Sequence, residues 1–260
     1  MNSTTVDIAV YGSNLEIALA YSKASDDLVL FIHGLGCCKE SFESVWDRKD
    51  YRDYSLLAID LAGFGESSKT KSFSYSMEAQ AKVCEEVLKR FSFARLHIVA
   101  HSMGNAVGLL LPEYLIGITA SFANVEGNLI AEDCGLVSRK TISVPFDAFE
   151  KDYLPYFVTQ FQNEKHHHIR LDKTTAHAFY RSSKSLVEWS DSGQLLDRFL
   201  SLPCAKAYFH GDQNANLKTL PLLGTLNRES ITGSGHFMMN DNADEFYSKL
   251  LKHLIAPAQS

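Results

Sequence analysis

Ala100-His101-Ser102-Met103-Gly104-Asn105 stands between the apolar run Leu96-His97-Ile98-Val99-Ala100 and the helix-like run Ala106-Val107-Gly108-Leu109-Leu110-Leu111. A buried strand that passes straight into a helix, with a hydroxyl at the join, demands a sharp turn. Such a turn brings backbone against backbone, so it needs small residues two before and two after the serine. Ala100 and Gly104 meet that need. The pattern alone recurs by chance, and a serine here could equally cap the helix. The strand before and the helix after favour a strained bend that presents the Ser102 hydroxyl.

The same strand type recurs along the chain. Leu28 to Ile32, Tyr54 to Ile59, Leu96 to Ala100 and Ile116 to Val125 are short continuous apolar runs, the mark of parallel strands covered on both faces. Met77 to Phe91 has helical spacing. Thr5 to Tyr11 and Leu15 to Tyr21 alternate around Gly12-Ser13-Asn14 and read as a β-hairpin. Strands alternating with helices predict a doubly wound α/β sheet.

From about Ile130 to about Phe199 the strand signal stops, and aromatic and charged residues replace it. Strands return at Ala205 to Phe209 and near Ser230-Ile231, and a helix from about Asp244 to Leu254 follows. The expected division is an α/β core, residues 1–129 and 200–260, with an inserted helical cap, residues 130–199.

Composition narrows the function. A chain of 260 residues that is 45% hydrophobic can bury a large core. A net charge of −6 argues against nucleic-acid binding, which needs surplus Lys and Arg. The five cysteines have no disulfide or zinc spacing, and Met1 to Asn14 has no basic segment ahead of an apolar one. No apolar stretch is long enough to span a bilayer. A cytoplasmic protein is expected.

Two further motifs follow strands. His33-Gly34-Leu35-Gly36 can turn a backbone amide, read here as that of Leu35, toward an oxyanion, with the Met103 amide as the second donor. Asp60-Leu61-Ala62-Gly63-Phe64-Gly65 suits a tight loop, with Asp60 structural.

In this order and spacing, the three motifs resemble the α/β-hydrolase family over essentially the whole chain outside the cap. The resemblance implies an α/β-hydrolase fold, a mainly parallel eight-stranded sheet flanked by helices, and a serine, an acid and a histidine acting together. Of ten histidines, His236 lies in the late glycine-rich loop Gly233-Ser234-Gly235-His236-Phe237, where the family places its general base. His101, beside the serine but expected to point away from the elbow tip, and the strand-ending His33 and His210 read as structural.

The acid is open. Family members commonly carry Asp where Gly211-Asp212-Gln213-Asn214 has Asn214. An amide there cannot supply the charge. Asp212 stands two residues early. One branch, including some haloalkane dehalogenases, carries the acid after the sixth strand, and here Ile118 to Val125 runs directly into Glu126-Gly127. Glu126 is the favoured acid and Asp212 the alternative, with no working acid the third possibility. That branch's dehalogenases use an Asp nucleophile. A serine instead implies an acyl-enzyme.

The resemblance therefore implies a serine hydrolase of carboxylic esters or related acyl bonds, without cofactor and acting on a small acyl substrate. Carbon–carbon hydrolase, thioesterase, lactonase and perhydrolase chemistry share the triad, and the fold also hosts non-catalytic receptors. In the cap, Lys165, Arg170, Lys173, Arg181 and Lys184 could attract an anionic acyl group, though a solvated face is the simpler reading. His166-His167-His168 cannot converge on one metal ion, so no metal is expected. Trp189 and the cap aromatics are expected to line or pack an acyl pocket.

Overall fold

A computed structural model describes residues 1–260 except 136, 164–168 and 256–260, and the side chains of 161–163. One eight-stranded sheet runs in the order β1-β2-β4-β3-β5-β6-β7-β8. The strands are β1 Ser3–Val10, β2 Ser13–Ser22, β3 Asp27–Ile32, β4 Ser55–Ile59, β5 Arg95–His101, β6 Thr119–Val125, β7 Ala205–Gly211 and β8 Asn227–Ile231. β1 and β2 pair antiparallel, and β2 joins β4 antiparallel. All pairs from β4 through β8 are parallel.

The central strands are buried along almost their whole length, because helices cover both faces. One face carries the core of Leu30, Ile32, Ile98, Ala100 and Phe122 with α1 (Met77–Leu88) and α2 (Met103–Leu109). The other packs Val29, Phe31, Val99, Ala123 and Phe209 against Phe246, Tyr247 and Leu250. Between β6 and β7 the described elements are all helical, chiefly α3 (Leu154–Asn163), α4 (Ala176–Asp191) and α5 (Gln194–Ser201). The last helix, α6, is Ala243–Leu254. Side-chain caps start the longer helices: Ser76 accepts from the Ala79 amide, Thr175 from Ala178 and Asn242 from Glu245.

Three sequence boundaries move. The hairpin turns at Tyr11-Gly12, both with positive φ, because a two-residue loop must follow the twist of its strands. The Ile116 run does not begin a strand. Glu113–Gly117 is a short helix, and β6 starts at Thr119. α1 stops at Leu88, short of Phe91.

Candidate active site

Ser102 follows β5 at φ 52°, ψ −121°. That backbone is costly for a residue with a Cβ, on the order of 1–3 kcal/mol. Its hydroxyl makes no capping bond to α2, so the helix gives no reason for the serine or its strain. Gly104 shows why the bend needs glycine: a Cβ there would stand 2.4 Å from the Ile32 carbonyl oxygen. Gly34 is close as well, since its Cβ would lie 3.0 Å from the Ser102 Cβ. β3 and β5 are adjacent parallel strands, so their two loops meet.

Glu126 follows β6, the next strand, and also has positive φ, at 40°. Its amide donates to the Phe209 carbonyl at 2.9 Å. Its side chain is only 3% exposed, so the carboxylate needs donors to keep its charge. It has them. The Gly211 amide donates to Oε1 at 2.8 Å, and Asn214 Nδ2 reaches Oε1 at 3.0 Å and Oε2 at 2.9 Å. His236 Nδ1 lies 2.8 Å from Oε2.

Asp212 is not at the imidazole. Its two carboxylate oxygens accept the amides of Gly233 at 2.9 Å and Ser234 at 3.2 Å. Asp241 accepts the Gly235 amide at 2.9 Å. The loop ahead of His236 is thus pinned by two carboxylates. His101 adds a third hold through its Nε2, 2.9 Å from the His236 carbonyl oxygen. The His101 side chain therefore faces the site rather than away from it, and its ring lies 4.6 Å from that of His236. His33 is fully buried between the Gly34 carbonyl and the Leu61 amide, and burial holds its pKa down. His210 Nδ1 meets the Gly211 carbonyl.

Ser102, His236, Leu35 and Asn214 share one cavity of about 1000 Å³. Among the described residues, the amides of Leu35 and Met103 form no turn or side-chain hydrogen bond. Leu35, Val137, Ile169, Leu171, Phe179 and Phe237 supply apolar wall, and Asn128, Asp133, Gln213 and Asp241 supply polar wall. Cys37 also lines the cavity, but burial pushes its thiol up to about 12. It is then protonated near neutral pH and a poor nucleophile. Burial likewise raises Asp133, whose carboxylate accepts from Thr219 and the amides of Leu129 and Ile130.

The cap readings change. Trp189 is not a cavity residue: its Nε1 donates to Glu78 at 2.8 Å and Arg198 lies over its ring. Phe146 packs on His177 and Tyr180, and Phe149 stacks on Phe179. Among the described residues of this segment, Phe179 is the aromatic that reaches the cavity. Several cations of the helical segment between β6 and β7 are already engaged, Arg170 with Asp172, Lys173 with Glu66, and Arg181 with the carbonyls of Lys71 and Phe73. Lys165 and His166 to His168 lie outside the described residues.

Asp60 is fully buried away from the cavity and accepts from Lys39 Nζ at 3.0 Å, the Lys39 amide at 2.7 Å and the Glu66 amide at 2.9 Å. Cys38, Glu40 and Asp60 cluster closely enough for one cation. The Lys39 ammonium, 2.9 Å from Glu40 and 3.0 Å from Asp60, already supplies that positive charge. Among the described residues no helix is long and apolar enough to cross a membrane.

Comparison with known proteins agrees with this architecture. Residues 27–114 match the model of the alpha/beta hydrolase fold family. A protein named Probable lysophospholipase BODYGUARD 4, from Arabidopsis thaliana, is 41% identical over 85 residues, 32% of this chain and 20% of that protein. Lipase 1 of Psychrobacter immobilis is 35% identical over 104 residues, 40% of this chain and 30% of that one. The chain thus spans less than a third of the length of these relatives. The esterase EaEST from Exiguobacterium antarcticum superposes with a TM-score of 0.73 at 16% identity, covering 97% of this chain and 100% of its own. The eight-stranded sheet, the matched segment and the structural neighbours together show that this chain has the α/β-hydrolase fold.

Proposed function

We propose that the chain is a serine hydrolase of carboxylic esters, with Ser102 as nucleophile, His236 as general base and Glu126 as the acid. The observation that carries the reading is the 2.8 Å bond from His236 to a buried carboxylate, in the cavity that also holds an uncapped, strained serine. Relatives named as a lipase and a probable lysophospholipase, and a neighbour named as an esterase, point the same way.

Ser102 Oγ attacks the ester carbonyl as His236 Nε2 takes its proton. The amides of Leu35 and Met103 donate to the oxyanion of the tetrahedral intermediate. Glu126 holds Nδ1 protonated, fixes the tautomer and stabilises the imidazolium without itself taking the proton. His236 then gives its proton to the departing alcohol. Water, activated by the same imidazole, releases the acid from Ser102.

The helices between β6 and β7 act in this reading as a cap over the acyl site, with Phe179, Leu171 and Val137 as apolar walls. A cavity of about 1000 Å³ has room for an acyl chain of several carbons. The test is a panel of p-nitrophenyl esters of increasing acyl length, run on the protein and on Ser102→Ala. Saturable turnover lost in the variant supports the reading. Equal turnover by both removes the serine from the mechanism.

A further inference from the structure

We infer that Asn214 is the positioning residue of the acid: its amide holds the Glu126 carboxylate in the plane and charge state that His236 requires. The inference rests on the proposed roles of Ser102, His236 and Glu126 and adds a residue to them.

Asn214 closes the short turn Asp212–Asn214 that follows β7. Its Nδ2 lies 3.0 Å from Oε1 and 2.9 Å from Oε2 of Glu126. One donor astride both oxygens restrains the last torsion of the glutamate, a torsion that is otherwise soft. The Gly211 amide, 2.8 Å from Oε1, occupies one end of the carboxylate and leaves Oε2 to His236 Nδ1. A carboxylate this buried keeps its charge only while such donors face it.

The identity of residue 214 matters as much as its reach. An Asp there would set a second carboxylate about 3 Å from the first, and like charges so close cannot both ionise freely. Asn keeps the shape, brings donor protons and leaves Glu126 as the one charge on the imidazole. The other titratable groups around the pair are accounted for. The His101 ring lies tilted against that of His236, Asp212 and Asp241 are bound by loop amides, and Tyr208 is buried on β7.

The test compares Asn214→Leu, Asn214→Asp and Glu126→Gln by pH-dependent hydrolysis of p-nitrophenyl butyrate, with thermal unfolding as the check on folding. Asn214→Leu removes the donor and should lower kcat about 10- to 100-fold, the worth of a hydrogen bond to a charged group, while KM moves less than about threefold. Asn214→Asp is isosteric and tests the idea even if the leucine variant misfolds. The two carboxyls then titrate as a coupled pair with one raised pKa, so the acidic limb of kcat/KM should shift from its position in the parent protein. Unchanged kcat in Asn214→Leu, or an unmoved limb in Asn214→Asp, overturns the inference. If Glu126→Gln still collapses kcat in that case, the triad reading survives alone. If Glu126→Gln is neutral, both fall.

Discussion

Glu126 Oε2 and His236 Nδ1 are 2.8 Å apart, although 110 residues separate them in the chain. One follows the strand beside the nucleophile strand. The other lies in a loop pinned by Asp212, Asp241 and His101. In the proposed mechanism this meeting supplies Ser102 with its base.

Glu126→Gln should lower kcat by about 10³- to 10⁴-fold, because the amide supplies no charge and can select the wrong imidazole tautomer. Asp212→Asn, which weakens two loop bonds, should cost less than about tenfold. Steady-state kinetics on one ester ranks the two. The opposite ranking would move the acid to Asp212.

Ser102→Gly should abolish turnover and raise stability, by contrast with Ser102→Ala. Glycine relieves the backbone strain at φ 52°, and alanine keeps it. The gain expected is about 1 kcal/mol, or roughly 2–4 °C in Tm for a chain of this size. Calorimetry of the two variants measures it.

Gly104→Ala should be severely destabilising even though it adds only a methyl group. Its Cβ would meet the Ile32 oxygen at 2.4 Å and the His33 oxygen at 2.7 Å, and neither backbone atom can rotate away. A loss above about 2 kcal/mol in urea unfolding is expected, with activity falling alongside.

Lys39→Met should destabilise by about 3–5 kcal/mol, because Asp60 then keeps a buried charge without its partner. Lys39→Met combined with Asp60→Asn should recover much of that loss. Denaturant titration of the single and double variants gives the coupling.

Acid should weaken the fold through His97. Burial pushes its pKa down to about 4 from an ordinary 6.5, with Nδ1 2.8 Å from Ser121 Oγ. The unfolded chain therefore binds more protons between those values, and stability rises with pH across that window. The contribution is complete above pH 6.5 and is lost as pH falls toward 4, on the order of 3 kcal/mol. His97→Gln should flatten that part of the stability profile in urea unfolding.

Much of the fold was legible because its strands are continuous apolar runs and its helices are amphipathic, both local properties. The Ser102 bend was legible for the same reason: Ala100 and Gly104 are its immediate neighbours. What hid were contacts between distant segments. Asn214 reads in sequence as a missing acid, yet its side chain meets the Glu126 carboxylate that follows β6. Asp212 reads as the alternative acid, yet its two oxygens accept the loop amides of Gly233 and Ser234. Trp189 reads as lining or packing an acyl pocket, but a helix face is assigned only once its neighbours are known, and its indole N–H donates to Glu78 outside the cavity wall. The hairpin misplaced its turn because Tyr11 is an unusual residue to accept positive φ.

The central claim is that Ser102 becomes acylated with help from His236. Peptide mass spectrometry after treatment with a fluorophosphonate measures this most directly. A single adduct on Ser102, formed far more slowly in His236→Ala, is the predicted result. An adduct on another residue, or none on folded protein, would contradict it.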